Sequence, residues 1–212
     1  MSNKLKGIWH NNRGFFLFVV LMLVFRSAVA DWYNVPTGSM QPTIVEGDRV
    51  LVDKMAYDLR IPFTHVSLVK LAEPKRGDIV VFDSKRADTR LIKRVVGIPG
   101  DVIEMRQNAL FINGQQLAYQ LSDQGELSEN LLGFSHAVRL APGGSRLSNF
   151  APVRVPDNHY LALGDNRDNS ADSRVIGFVP REELLGRAHH VALSINPDNY
   201  YLPRTDRFWQ AI

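Results

Sequence analysis

The hydrophobic positions fall in short runs, and most of those runs read as strands. Residues 49–53 (RVLVD), 78–82 (DIVVF), 91–98 (LIKRVVGI) and 102–105 (VIEM) are rich in Val and Ile and bounded by Gly, Pro and Asp, the pattern of β-strands set between turns. Residues 159–163 (HYLAL) repeat it. Residues 109–112 and 115–117 flank Asn113-Gly114, a dipeptide that accepts the positive φ angles of a two-residue hairpin turn. Between about 118 and 155 the sequence is more polar and less periodic, with Pro142-Gly143-Gly144 in the middle, as in an insertion or subdomain. The one helix candidate in this part of the chain is the short stretch 181–186, which follows Pro180. These elements predict a mainly β fold, an antiparallel sheet closed or folded over itself.

The first thirty residues follow a different pattern. Gly14 to Phe25 (GFFLFVVLMLVF) is a twelve-residue run without a charge, preceded by Lys4, Lys6 and Arg13 and followed by Arg26, Ser27 and Ala28-Val29-Ala30. A basic start, an apolar centre and an Ala-x-Ala ending describe a cleaved secretory signal peptide, which the segment taken alone favours. The alternative is an uncleaved anchor. Counted on through Trp32 and Tyr33 the segment reaches twenty residues, about 30 Å of helix, with Arg26 extending to the headgroups and the two aromatics at the interface. Under either reading the basic residues stay in the cytoplasm and the rest of the chain is exported.

Locating the charge changes its meaning. The chain has 25 Lys and Arg against 22 Asp and Glu, a net charge of +3. Four of the basic residues lie in residues 1–30, where there is no acid, leaving 21 against 22 beyond. The bulk of the chain is near neutral, so nothing marks a nucleic-acid partner. Cysteine is absent, which excludes disulfide scaffolds, zinc–thiolate sites, thiol nucleophiles and iron–sulfur ligation. A 45% hydrophobic and 22% charged composition excludes wholesale disorder.

The six histidines form no His-Glu-x-x-His, and the pair His189-His190 is expected to point to opposite faces of a strand, so neither a metal nor a His-based triad is supported. Residues 164–174 (GDNRDNSADSR) resemble a calcium loop only superficially. Counted from Asp165, the sixth position is Ser170 and the twelfth Ile176, where Gly and Glu are required. Two arginines among three aspartates point instead to an internally paired loop.

Two segments carry candidate chemistry. Strand alternation puts Leu91, Lys93 and Val95 on one face. A lysine among apolar neighbours is partly desolvated, which lowers its pKa and lets it act as a general base; the same residue also reads as an edge-strand lysine guarding against aggregation. Residues 35–43 (VPTGSMQPT) form a turn bracketed by prolines that presents Ser39 after Gly38. Ser39 is nine residues past Ala30, within about 30 Å of the end of the apolar segment even when fully extended.

Taken together and in order, these boxes resemble bacterial type I signal peptidases, the membrane-bound Ser/Lys proteases. Residues 37–43 (TGSMQPT) are similar to the family's nucleophile box, 47–54 (GDRVLVDK) to the following strand, 76–82 (RGDIVVF) to another, 93–101 (KRVVGIPGD) to the lysine box and 164–174 to the final box. The resemblance covers roughly 31–107 and 156–190. It implies that Ser39 is the nucleophile and Lys93 its general base, that Ser170 hydrogen-bonds and orients the lysine, and that the Thr37 hydroxyl and the Ser39 N–H form the oxyanion hole. It further implies that Asp172 and Arg174 form a supporting salt bridge and that Met40 helps line the substrate pocket.

On this resemblance the expected fold is a folded antiparallel β-sheet catalytic domain, residues 34–212, with an inserted β-rich, cap-like subdomain at about 107–156. It follows a cytoplasmic basic N-terminus, 1–13, and one transmembrane helix, 14–33, kept uncleaved. The expected activity is removal of signal peptides from exported preproteins after Ala-x-Ala-type sites at the outer face of the bacterial inner membrane. The partners are preprotein signal peptides and the lipid bilayer, with no cofactor, metal or nucleic acid. The alternatives are a dedicated maturation peptidase for one secretion or conjugation substrate, and a non-catalytic exported peptide-binding β-domain.

Overall fold

The computed structural model describes residues 3–123 and 125–212, with residues 3–11 described by backbone alone. In chain order the elements are helix α1 (Asn3–Ala28) and strands β1 (Ala30–Asn34), β2 (Asp48–Asp53), β3 (Asp58–Arg60), β4 (Ser67–Lys70), β5 (Ile79–Ser84), β6 (Thr89–Gly97), β7 (Val102–Arg106), β8 (Ala109–Ile112) and β9 (Gln115–Gln116). They continue with β10 (Ala118–Leu121), β11 (Leu127–Asn130), β12 (Ser135–Val138), β13 (Phe150–Arg154), β14 (His159–Leu163), helix α2 (Ser173–Ile176), β15 (Val179–Pro180), β16 (Leu184–Asn196), β17 (Leu202–Pro203) and β18 (Gln210–Ala211).

The main sheet runs β1-β2-β16-β5-β6-β14-β15, with β17 and β18 also on β16. β5 explains why this sheet holds together. Its Ile79 and Val81 join one core with Val35, Met40, Ile44, Val50 and Val52, while Val80 and Phe82 join a second with Val95, Tyr160 and Ala162 on the other face. An unbroken apolar run is what a strand covered on both sides requires. A third core, with Val96, Ile103, Leu110, Ile112 and Leu161, ties the sheet to the inserted region.

That region consists of a four-stranded sheet, β13-β7-β8-β9, and a three-stranded sheet, β10-β11-β12. β7, which precedes the boundary expected near 107, pairs with β13. The hairpin at Asn113-Gly114 forms, with φ of 53° and 81°, and joins β8 to β9.

Three expectations are corrected. The helix expected to reach Tyr33 stops at Ala28, because Trp32 and Tyr33 pair with Leu51 and Val50 of β2. Arg26 turns back onto Asp31 at 2.8 Å and lies 4.6 Å over the Trp32 ring, while Lys54 Nζ donates to the Arg26 carbonyl at the helix end at 2.8 Å, where a cation is favourable. Among the described residues, no helix is long and apolar enough to cross a membrane. The helix candidate at 181–186 is a single 3-10 turn, Arg181–Glu183, and Leu184 already starts the β16 ladder with Phe82. Finally, a bulge between Ala188 and His190 brings the His189 and His190 rings to 4.9 Å rather than to opposite faces.

Candidate active site

The 3-10 turn Gly38–Met40 presents the side chain of Ser39 while Met40 is buried in the core beneath it. From β6, Lys93 reaches the same point: its Nζ lies 2.7 Å from Ser39 Oγ and donates to the Ile92 carbonyl at 3.0 Å. Lys93 is 3% exposed and sits opposite Val80 in the sheet. Burial lowers its pKa from 10.5 to about 8, with Asp172 and Asp165 opposing the shift. Lys93 is thus a core lysine, because the strand that carries it is covered on that face.

The remaining expected residues gather around this pair. Thr37 is extended, exposed and makes no capping bond to the turn, and it lines the clefts on both sides of Ser39. Asp172 and Arg174 form a bidentate pair, at 2.8 and 2.6 Å. Asp172 also accepts from Gly164 N at 3.0 Å, and Arg174 donates to the Leu147 carbonyl at 2.9 Å. Ser170 is buried beside Lys93 in one cleft, but among the described residues its hydroxyl has no hydrogen-bond partner, so the expected bond to Lys93 is not made. Met40 lines the other cleft, of about 400 Å³, with Tyr33, Val35, Ile44, Leu91 and Ile92.

Residues assigned no role from the sequence hold the site together. Asn166 donates its backbone N–H to the Ser39 carbonyl at 3.1 Å and its side-chain amide to the Gly38 carbonyl at 3.0 Å. Asp165 takes a bidentate bond from buried Arg94, at 2.9 and 2.8 Å, and one from Thr43 Oγ1 at 2.6 Å. Those contacts join the turn that carries Ser39, the strand that carries Lys93 and residues 164–174. A Cβ on Gly164 would lie 2.3 Å from Ser170 Oγ and 2.4 Å from the Ser39 carbonyl, so only glycine allows this approach.

Residues 164–174 are not paired internally in the way expected: only Asp172–Arg174 is. Asp165 goes to Arg94, and Arg167 forks onto Glu129 of β11, both fully buried. The inserted subdomain therefore supports the site. His136 of β12 lies 3.5 Å from Asp165, and burial, with Arg94 adding to it, lowers its pKa to about 4, so it is neutral there. The adjacency of Arg94 to Lys93 and of Asp165 to Gly164 was the visible signal. The distant partners Glu129 and His136 left none.

A family model described as signal peptidase, peptidase S26, matches residues 9–193. Signal peptidase I of Pseudomonas fluorescens is 35% identical over 216 residues, covering 92% of this chain and 76% of the relative. Signal peptidase I of Bacillus licheniformis is 30% identical over 196 residues, covering 92% of this chain and 94% of the relative. Among solved structures, a signal peptidase I from Enterococcus faecalis is 29% identical, covers 56% of this chain and 98% of that one, and has a TM-score of 0.38. With its family model spanning most of the sequence and such relatives matching at this identity, the chain belongs to the signal peptidase family, peptidase S26.

Proposed function

We propose that this chain is a membrane-bound serine endopeptidase that removes signal peptides from preproteins after Ala-x-Ala-type sites, with Ser39 and Lys93 as a catalytic dyad. The observation that carries the reading is the 2.7 Å approach of a buried lysine, its pKa pulled down to about 8, to Ser39 Oγ. A neutral Lys93 takes the Ser39 proton as Oγ attacks the scissile carbonyl. The Ser39 N–H and the Thr37 hydroxyl stabilise the oxyanion. The lysine then delivers its proton to the departing amine and later activates the water that releases the acyl group. Ser170 positions the lysine once substrate has excluded water.

Two further features support a peptide substrate. Thr89–Lys93 of β6 pairs with β5 on one side, while β14 begins its pairing only at Arg94. That leaves a strand edge open beside Ser39 for an extended peptide. The apolar cleft that Met40 lines suits the small side chains before the cut.

The reading places α1 at the inner membrane, N-terminus cytoplasmic, with the β-domain on the outer side. Most of its apolar run from Phe15 to Phe25 is exposed, with Val19 and Val24 partly covered, and the backbone N–H of the exposed Phe63, between β3 and β4, donates to Ser27 Oγ near its end. Incubation of the full chain with preproteins, and the same assay after Ser39→Ala, tests the peptidase; retention in membranes after alkaline carbonate extraction tests the anchor. No cleavage of any preprotein refutes the first, and release by carbonate refutes the second.

A further inference from the structure

Two clefts meet at Ser39 and Lys93. One is the apolar cleft assigned above to side chains before the cut. The other, of about 510 Å³, opens on the Ser170 side, and it is left for the residues that depart with the amine.

The charged residues lining this second cleft are Lys93, Asp168 and Arg146. Lys93 is committed to the dyad. Asp168 spends both oxygens on the protein: Oδ1 accepts from Ser145 Oγ at 2.7 Å and Ser148 Oγ at 2.9 Å, and Oδ2 from Asn108 Nδ2 at 2.9 Å and Ala141 N at 2.8 Å. Arg146 is different. It is exposed, and among the described residues its guanidinium has no hydrogen bond or ion pair.

The backbone that carries Arg146 is nevertheless fixed on both sides. Ser145 is held by Asp168 and by its own N–H bond to Ser148 Oγ at 2.7 Å, and the Leu147 carbonyl accepts from Arg174 at 2.9 Å. Asp168 and Arg174 belong to the segment that forms the catalytic wall. A free cation is thus mounted on a rigid loop at the exit side of the reacting bond, which is how a preorganised carboxylate site is built.

We propose that Arg146 is a specificity-determining residue: it binds an acidic side chain in the first few positions of the mature chain, so that preproteins with Glu or Asp there are cleaved preferentially. This rests on the peptidase reading above. The inserted subdomain would then serve selection of the mature sequence as well as support of the site.

The test uses the full chain in detergent and quenched peptides that share one Ala-x-Ala segment and carry Glu, Gln or Lys at each of the first three positions after the cut. Each sample is scored by its ratio of kcat/KM for Glu over Lys, which does not depend on the fraction of active protein. The wild type is expected to favour Glu about fivefold at one position, the scale of a partly solvated ion pair. Arg146→Ala should bring that ratio near one, and Arg146→Glu should invert it; 0.5 M salt should shrink the wild-type preference. A ratio equal in wild type and Arg146→Glu at all three positions overturns the Arg146 site while leaving the peptidase intact. No cleavage of any peptide by the wild type overturns both.

Discussion

Lys93→Met should raise the stability of the fold at pH 7 while abolishing peptidase activity. Burial takes the lysine pKa from 10.5 down to about 8, so in the folded state its charged form carries a penalty of about 3 kcal/mol. Because the folded value lies below the unfolded one, the unfolded chain binds more protons between pH 8 and 10.5. Stability therefore rises with pH through that window, and below pH 8 the whole penalty is borne. Methionine has a similar length and no charge, so it removes the penalty. It also loses the bonds of Nζ to Ser39 and to the Ile92 carbonyl, which costs about 1 kcal/mol. The net expectation is a variant about 1–2 kcal/mol more stable than the wild type in urea unfolding at pH 7, a gain that fades as pH approaches 10.5. The companion measurement is the wild-type pH profile: kcat/KM should rise with pH and level off near 8. A variant less stable than the wild type at pH 7, or a flat wild-type profile between pH 6 and 9, would refute the buried lysine with a lowered pKa.

Three other substitutions probe the shell around the dyad. Gly164→Ala forces its Cβ against Ser170 Oγ and the Ser39 carbonyl; kcat should fall by about 100-fold with a smaller change in KM, measured on a single peptide substrate. Thr37→Val keeps the branched shape and removes the hydroxyl, so kcat should drop at least about 100-fold at similar KM; an unchanged kcat removes Thr37 from the oxyanion site. Glu129→Ala leaves the buried Arg167 guanidinium uncompensated and should lower stability in urea unfolding by about 3–5 kcal/mol, most of it regained in Glu129→Met/Arg167→Met.

The strands were legible because their signals are local. The Val-rich runs became β2, β5, β6 and β7, and the Asn113-Gly114 turn formed because both residues tolerate positive φ. Helix ends were not legible. An evenly apolar segment such as 14–25 has no preferred face to mark where it stops, and the decision at Ala28 is made by the ladder between β1 and β2. The same applies to 181–186, where pairing with β5 outweighs a Pro-started turn. Ser39 and Lys93 were found through their boxes, and the structure brings them into contact. The partners of residues 164–174 were misjudged because the nearest opposite charge in sequence is not the nearest in space: Arg167 chooses Glu129, 38 residues away, and Asp165 chooses Arg94, 71 away. A polar insertion without motifs thus supplies a buried carboxylate to the site, a contact no local pattern encodes.

In the proposed reaction Ser39 does the cutting. The direct measurement is mass analysis of the products when purified full-length wild type and Ser39→Ala are incubated with a panel of preproteins. Mature chains beginning immediately after Ala-x-Ala are expected with the wild type, and intact preproteins with Ser39→Ala. Mature product from the Ser39→Ala sample, or none from the wild type, would contradict it.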